Sequence, residues 1–230
     1  MLSRAITHVI FDMDGVLLDT EPFYTDVTRR IVGRYGKTFD WSVKGNMIGR
    51  TAAASARYLV DTLELPMTPE EYLREREAML ELLMPTAKAL PGARELTAAL
   101  HARGVPQAVA TSSARRLFDL KTQQHREWFA VFDAIVLGDD PRLARGKPAP
   151  DIFLLAARDL GVDAAACVVV EDSPVGVEAA RAAGMQVIAV PDPAMDRARY
   201  ADADVVVASL AEIDPARLGA APPSREGRQQ

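Results

Sequence analysis

Short apolar runs recur along the chain and are separated by longer stretches with helical periodicity. The first run, residues 7–11, ends abruptly at two aspartates and a glycine. An apolar run that stops at a turn is typical of a strand buried on both faces of a parallel sheet. The pattern predicts further buried strands at residues 107–111, 134–137, 167–171, 186–190 and 205–207.

The segments between these runs are rich in Ala, Leu and Arg, and their apolar residues follow helical spacing. Strands that alternate with helices of this size are typical of βαβ units. The pattern therefore predicts an α/β fold with a Rossmann-like parallel sheet core and helices on both faces. The predicted core helices cover residues 93–103, 114–124, 151–160 and 175–183.

The segment 21–89 interrupts this alternation. It has helical patterns but no buried strand, and it ends at a turn signal, Leu90-Pro91-Gly92. We therefore expect an all-helical cap domain at 21–89, inserted into the α/β core. The core takes residues 1–20 and 90–218, and a polar, flexible tail follows at 219–230. The predicted cap helices cover residues 22–35, 51–63 and 69–83.

Composition and charge narrow the class of protein. The 230 residues are 49% hydrophobic, which is enough to form a core, and the net charge of −5 disfavours a nucleic-acid binder. A single cysteine, Cys167, excludes an internal disulfide. No apolar stretch approaches the roughly 20 residues that a bilayer requires, and carboxylates come too early for a signal peptide. We expect a cytoplasmic protein that binds neither nucleic acid nor membrane.

Acidic, hydroxyl and basic side chains are concentrated where predicted strands end. The carboxyl ends of parallel strands form one edge of a sheet, and ligands of open α/β folds bind there. Four carboxylates at this edge would repel one another without a cation, and their oxygen ligands suit magnesium. The segments are Asp12-Met13-Asp14-Gly15, Thr111-Ser112-Ser113, Gly146-Lys147-Pro148 and Glu171-Asp172-Ser173.

Taken singly, several of these residues have ordinary structural roles. Asp172 and Thr111 could cap helices, and Lys147 could be an exposed loop lysine. Asp12 and Asp14 fit such a role less well, because two like charges beside a buried strand are costly without a cation. The spacing of these groups is not that of an EF-hand, a P-loop or a serine-hydrolase elbow.

Together, the four segments resemble the four motifs of the haloacid dehalogenase superfamily in order and spacing. The helical insert after the first motif is similar to the small C1-type cap of that superfamily. The segments Asp19-Thr20-Glu21, 138–141 and 146–153 are similar to its pseudouridine-5′-phosphatase and β-phosphoglucomutase-like branch. The resemblance covers about residues 6–210.

The resemblance implies a magnesium-dependent phosphatase that works through an aspartyl phosphate. Asp12 would be the nucleophile, and Asp14 would protonate the leaving oxygen and then deprotonate the attacking water. Thr111 would donate its hydroxyl to the phosphoryl group, and Lys147 would neutralise charge on the nucleophile and the phosphate.

The resemblance also implies the ligands of the metal and of the substrate. The expected magnesium ligands are Asp12, the main-chain carbonyl of Asp14, Asp172, and Glu171 as a direct or an outer ligand. The expected substrate contacts are the backbone amides of Met13, Asp14 and Ser112, with Gly49, Arg50 and Tyr24 from the cap side.

The implied substrate is a small phosphorylated metabolite of sugar or nucleoside type, with pseudouridine 5′-phosphate as the best candidate, and the enzyme is expected to be a monomer. A β-phosphoglucomutase-like mutase is the main alternative, because it shares the whole core. Mutases of that branch have a histidine at the position of Tyr24, so the tyrosine argues against mutase activity. A non-catalytic phosphate-binding protein on this scaffold is a further alternative, and the complete set of acids argues against it.

Overall fold

The computed structural model describes residues 2–47 and 52–219. The strands in this part of the chain are β1 His8–Phe11, β2 Leu18–Asp19, β3 Lys88–Ala89, β4 Gln107–Ala110, β5 Ala134–Val136, β6 Cys167–Glu171, β7 Gln186–Ala189 and β8 Val205–Val206. Six of them form a parallel sheet in the order β5-β4-β1-β6-β7-β8. The strands β2 and β3 form a separate antiparallel pair.

Helices cover both faces of the sheet and form the insert after the first strand. The helices of the described residues are α1 Glu21–Gly33, α2 Trp41–Met47, α3 Ala52–Leu63, α4 Pro69–Leu83, α5 Ala93–Ala102, α6 Arg115–Thr122, α7 Arg126–Phe129, α8 Asp151–Asp159 and α9 Pro174–Ala182. We call α1 to α4 the cap.

The apolar runs form two buried layers, one on each face of the sheet. Val9 and Phe11 of β1 belong to a cluster that also contains residues of α5 and α7. Ile10, between them, belongs to a second cluster with residues of α8 and α9. Because both faces of the strand are covered, its consecutive positions 9 to 11 are all apolar, which explains the continuous runs in the sequence.

The predicted α/β class is confirmed, as are the predicted strands and helices, with ends that differ by at most two residues among those described. The elements β2, β3, α2 and α7 were not predicted. They contain two to seven residues, which is too short for a hydrophobic period to stand out.

The cap has an apolar cluster of its own, which includes the buried residues Ile31, Leu59 and Tyr72. Leu117 and Leu120 of α6 pack against this cluster, so the cap contacts the core through that helix. The pair β2-β3 links the segment that enters the cap to the segment that leaves it.

Two further observations concern the ends of the chain and membrane association. The backbone amide of Gly219 donates to the carbonyl of Ile6 at 2.9 Å, and the rest of the predicted tail lies outside the described residues. Within 2–47 and 52–219, none of the helices has both the length and the apolar character that crossing a bilayer requires. The domain boundaries at 20/21 and 89/90 stay predictions.

Candidate active site

The sheet order brings three loops with polar side chains together. Strand β1 lies between β4 and β6, and its last residue, Phe11, is in register with Val109 of β4 and Val170 of β6. The three strands are parallel, so the residues that follow them emerge at the same edge. The segments beginning at Asp12, Thr111 and Asp172 are therefore neighbours in space.

Lys147 lies at the centre of this edge and bridges two acids. Its ammonium Nζ donates to Asp12 Oδ1 at 2.5 Å and to Glu171 Oε1 at 2.7 Å. The lysine side chain is only 6% exposed, which excludes the alternative of a solvated loop lysine. Burial alone would lower the pKa of Lys147, but the charges of Asp12 and Glu171 raise it above its ordinary value, so the lysine is a cation.

Three carboxylates at this edge form a cluster with the geometry of a metal site. Asp12, Glu171 and Asp172 each offer an oxygen within 4.8 Å of the others. Burial, together with nearby carboxylates, raises the pKa of Asp12 to about 7 and raises that of Asp172 well above its ordinary value. Lys147 alone cannot balance three acids, and an all-oxygen donor set fits a hard divalent cation such as magnesium.

The two oxygens of Glu171 already have donors. Oε1 accepts from Lys147, and Oε2 accepts from the backbone N–H of Ser173 at 2.7 Å and from its hydroxyl at 3.0 Å. Asp172, in contrast, has no side-chain hydrogen bond among the described residues. This arrangement favours Asp172 as a direct metal ligand and Glu171 as an outer one that holds Lys147.

A close approach at Gly15 brings the β1 loop against Asp172. Gly15 has φ +77°, and a Cβ built there would lie 2.1 Å from Asp172 Oδ2. Such backbone is strained for other residues, and such a contact forces the carboxylate to move.

We expect Gly15→Ala to lower kcat about 100-fold, because it displaces a carboxylate of the acid cluster. Gly36→Ala is the matched control: Gly36 has φ +68°, and a Cβ there meets nothing within 4 Å. The control should lose only about 1 kcal/mol of unfolding free energy and keep its kcat. Steady-state kinetics and thermal denaturation of both variants test this, and equal activities would contradict it.

Asp14 lies in a separate network. Its Oδ1 accepts from the Thr20 hydroxyl at 2.6 Å and from Lys121 Nζ at 2.7 Å, and its Oδ2 accepts from the Ser113 hydroxyl at 2.9 Å. Burial alone would raise the pKa of Asp14, but the charge of Lys121 and these hydrogen bonds hold it below its ordinary value. The side chain of Asp14 is not a member of the acid cluster around Asp12, so its predicted metal contact rests on the main-chain carbonyl.

Lys121 was not among the predicted site residues. Its side chain is fully buried, and its Nζ also donates to the Ser113 hydroxyl at 2.8 Å and lies 3.3 Å from the Tyr24 hydroxyl. The sequence does contain a signal: Lys121 follows the buried Phe118 by three residues, and helical spacing places both on the same face of α6. A lysine on an apolar helix face needs a buried anion.

Several donors at this edge have no acceptor among residues 2–47 and 52–219. The backbone N–H groups of Met13, Asp14 and Ser112 are such donors. The Thr111 hydroxyl accepts from the Ser113 amide at 3.1 Å, which leaves its own O–H group free to donate. Unpaired N–H groups beside a lysine at one edge of a sheet are donors of the kind that bind a phosphate group.

The structural alternatives for Thr111 and Asp172 are wrong. Helix α6 begins after Ala114, which has no side-chain cap, and Thr111 lies too far back to cap it. Helix α9 is capped by Ser173, whose hydroxyl accepts from the Gly176 amide at 3.1 Å. Both Thr111 and Asp172 are therefore available to a ligand.

A cavity of about 410 Å³ separates this edge from the cap. Ser112 and Asp172 line it on the core side, and Tyr24 lines it on the cap side. Burial and the charge of Asp14 raise the pKa of Tyr24, so its hydroxyl is neutral. The other predicted cap contacts, Gly49 and Arg50, lie outside the described residues.

Comparisons with known proteins point to one family. The model of the haloacid dehalogenase-like hydrolases matches residues 6–184. The protein named (DL)-glycerol-3-phosphatase 1, mitochondrial, of Arabidopsis thaliana is 50% identical over 94% of this chain and 74% of its own length. The probable pseudouridine-5′-phosphatase of Drosophila melanogaster is 48% identical over 94% of this chain and 95% of its own length. A solved HAD family hydrolase from Deinococcus radiodurans R1, with bound phosphate and sodium, is 29% identical, with a TM-score of 0.74 over 91% of this chain and 94% of that one.

Proposed function

Because this chain belongs to the haloacid dehalogenase-like hydrolases and is about half identical to phosphatases of that family, we propose that it is a magnesium-dependent phosphatase acting on small phosphomonoesters of sugar, polyol or nucleoside type. The observation that carries the proposal is the surroundings of Asp12. Its carboxylate accepts from the Lys147 cation, and the segments that carry the Thr111 hydroxyl and the unpaired backbone N–H groups emerge at the same edge of the sheet. A phosphoryl group placed there would meet a nucleophile and a set of donors together.

In the first step, an oxygen of Asp12 attacks phosphorus, and the bond from phosphorus to the alcohol oxygen breaks. The Thr111 hydroxyl and the N–H groups of Met13 and Ser112 donate to the phosphoryl oxygens as charge develops on them. Asp14 takes up a proton when the negative charge of the substrate is bound at this edge, because that charge opposes the effect of Lys121, and it gives this proton to the departing alkoxide. The products are the free alcohol and an aspartyl phosphate on Asp12.

In the second step, a water molecule gives a proton to the Asp14 carboxylate and attacks phosphorus, and the bond to Asp12 breaks. The network of Thr20, Ser113 and Lys121 stabilises the ionised form of Asp14 that this step requires. Inorganic phosphate leaves, and Asp14 again carries the proton for the next cycle.

The acid cluster would hold magnesium through Asp12 and Asp172, and through the main-chain carbonyl of Asp14. When bound, the ion neutralises phosphoryl charge. The raised pKa values of Asp12 and Asp172 support this proposal, because burial and the neighbouring carboxylates disfavour their ionised forms and a divalent cation would stabilise those forms. The monomeric state and the cytoplasmic location expected from the sequence stay predictions.

The neutral hydroxyl of Tyr24 favours a hydrolase over a mutase. A mutase must keep water from its aspartyl phosphate until a second sugar hydroxyl arrives, and the histidine of the mutase branch can exchange a proton near neutral pH. Tyr24 cannot, because its pKa lies above the ordinary tyrosine value. The Asp14 base is thus free to activate water.

Phosphate release from a panel of phosphomonoesters tests the proposed function. The panel contains pseudouridine 5′-phosphate, glycerol 3-phosphate, hexose phosphates and nucleoside 5′-monophosphates, each with magnesium or with a chelator. We expect release only with magnesium, and the fastest release from pseudouridine 5′-phosphate or glycerol 3-phosphate. β-Glucose 1-phosphate, supplied with a trace of the 1,6-bisphosphate, should give inorganic phosphate and little glucose 6-phosphate.

Three outcomes of this screen would count against the proposal. If phosphate release continued after complete chelation, the proposed dependence on magnesium would be wrong. Rapid formation of glucose 6-phosphate would identify a mutase. Binding of phosphomonoesters without release would identify the non-catalytic scaffold.

A further inference from the structure

The cavity between core and cap is the space for the alcohol part of the substrate, an assignment that rests on the proposed function. Its volume of about 410 Å³ lies within the range of small-molecule sites. Ser112 and Asp172 form its catalytic end, and α1 and α4 of the cap contribute Tyr24, Tyr72 and Arg76. Cap residues that line the cavity are therefore placed to contact the alcohol part of the substrate.

Among the described residues, Lys44 is the other cation on this wall, and Arg76 differs from it. Lys44 is neutralised by Glu21 at 2.9 Å and donates to the Thr25 hydroxyl at 2.9 Å. Arg76 has no ion pair with any described residue, and its Nε is buried without a hydrogen-bond partner. Buried guanidinium nitrogens are normally paired, since an unsatisfied donor is costly.

The surroundings of Arg76 are neutral and rich in hydroxyls. Its guanidinium carbon lies 5.9 Å from the ring centre of Tyr24 and 5.8 Å from that of Tyr72. The Tyr72 hydroxyl is paired with that of Thr28 at 2.8 Å. The rings hold the guanidinium in place, and Arg76 also forms a hydrogen bond with Tyr72, so Nε is the guanidinium nitrogen left without a partner among the described residues.

We infer that Arg76 determines specificity by donating hydrogen bonds to oxygen atoms of the leaving alcohol. A planar guanidinium fork matches a pair of oxygen acceptors. Of the acids on the cavity wall, Glu21 is paired with Lys44 and Asp172 belongs to the acid cluster, so Asp192 is the one that would oppose an additional negative charge on the substrate. The substrate class is therefore a phosphomonoester of a neutral alcohol that carries further hydroxyl or carbonyl oxygens.

A pair of substrates that differ only in hydroxyl groups tests this inference. Glycerol 3-phosphate and propyl phosphate share a three-carbon chain, but only glycerol 3-phosphate has oxygens that can reach Arg76. We expect the wild type to prefer glycerol 3-phosphate, and Arg76→Met to lower its kcat/KM by about 10- to 100-fold. The kcat/KM of Arg76→Met for propyl phosphate should be nearly that of the wild type. Inorganic phosphate should also inhibit both enzymes about equally.

Two variants control for folding and for charge. Arg74→Met makes the same substitution at an exposed position two residues earlier on α4, and it should leave both substrates unaffected. Arg76→Lys keeps the charge but loses the planar fork, so it should fall between wild type and Arg76→Met. Thermal denaturation of each variant establishes that it is folded.

Each other outcome has a distinct meaning. An equal loss on both substrates in Arg76→Met and Arg76→Lys would indicate a structural role and overturn the inference. If Arg76→Met lost activity only on 3-phosphoglycerate, whose alcohol part carries a carboxylate, the inference that the substrate is a phosphomonoester of a neutral alcohol would be wrong. A wild type that cleaves propyl phosphate as well as glycerol 3-phosphate would refute the inference alone, and one that cleaves no phosphomonoester would refute the proposed function with it.

Discussion

Asp12→Asn is expected to reduce phosphate release by at least about 1,000-fold while the protein stays folded. The amide has nearly the shape of the carboxylate but cannot attack phosphorus. Lys147 keeps its second partner, Glu171, at 2.7 Å, so its charge is not left unpaired. Burial raises the pKa of Asp12 to about 7, and removing this costly carboxylate should leave stability unchanged or slightly higher. Phosphate-release kinetics and thermal denaturation measure the two effects.

Asp163→Asn is a suitable control for this prediction. Asp163 lies at the surface and accepts from the Ala165 amide at 2.9 Å, a bond that asparagine also forms. The Asp163→Asn variant should release phosphate at the wild-type rate. Acid quenching during turnover, followed by mass spectrometry, should detect a phosphoryl group on the wild type and none on Asp12→Asn. A folded Asp12→Asn enzyme with a substantial part of the wild-type rate would assign the nucleophile to another residue.

The parts of the site that sequence reasoning predicted follow directly from strand topology. Asp12, Thr111 and Asp172 each come after a strand, and a parallel sheet brings such positions to one edge. No knowledge of side-chain conformation was needed for that step. Lys147 was harder to place, since a loop lysine is usually solvated, and only the structure shows its bridge between Asp12 and Glu171.

The residues that sequence reasoning missed act across the boundary between cap and core. Lys121 lies on a core helix but faces Asp14 and Tyr24, and Arg76 lies on a cap helix that borders the catalytic cavity. Helical periodicity identifies which face of a helix is buried but not what it is buried against. Such contacts depend on how the cap packs on α6, which no local pattern encodes.

The structure separates the charges of the site into two groups. Asp12 and Glu171 share the Lys147 cation, and together with Asp172 they form a group of three carboxylates that one lysine cannot neutralise. Asp14 has its own cation, Lys121, and does not depend on that metal for its charge balance. In the proposed mechanism, this separation would let Asp12 act as the nucleophile while Asp14 exchanges protons, although the two are only two residues apart.

Lys121→Met is expected to lower the free energy of unfolding by about 3 kcal/mol, because it leaves a buried carboxylate without its cation. It should also lower kcat about 100-fold, with little change in KM, since Lys121 does not line the cavity. Burial alone raises the pKa of Asp14, and without Lys121 only the hydrogen bonds from Thr20 and Ser113 oppose this rise. Asp14 would then remain protonated and fail as the base for water, so a burst of alcohol should precede slow phosphate release.

Two further variants separate this effect from a general loss of packing. Asp14→Asn combined with Lys121→Met removes the unpaired charge, so the double variant should regain most of the lost stability but none of the activity. Arg116→Met removes an exposed cation of the same helix, paired with Glu81 at 2.6 Å, and should change stability by less than about 0.5 kcal/mol. Chemical denaturation and rapid-quench kinetics measure both quantities. Lys121→Met with wild-type turnover and no burst would show that Thr20 and Ser113 suffice to hold Asp14, because they are the partners that remain.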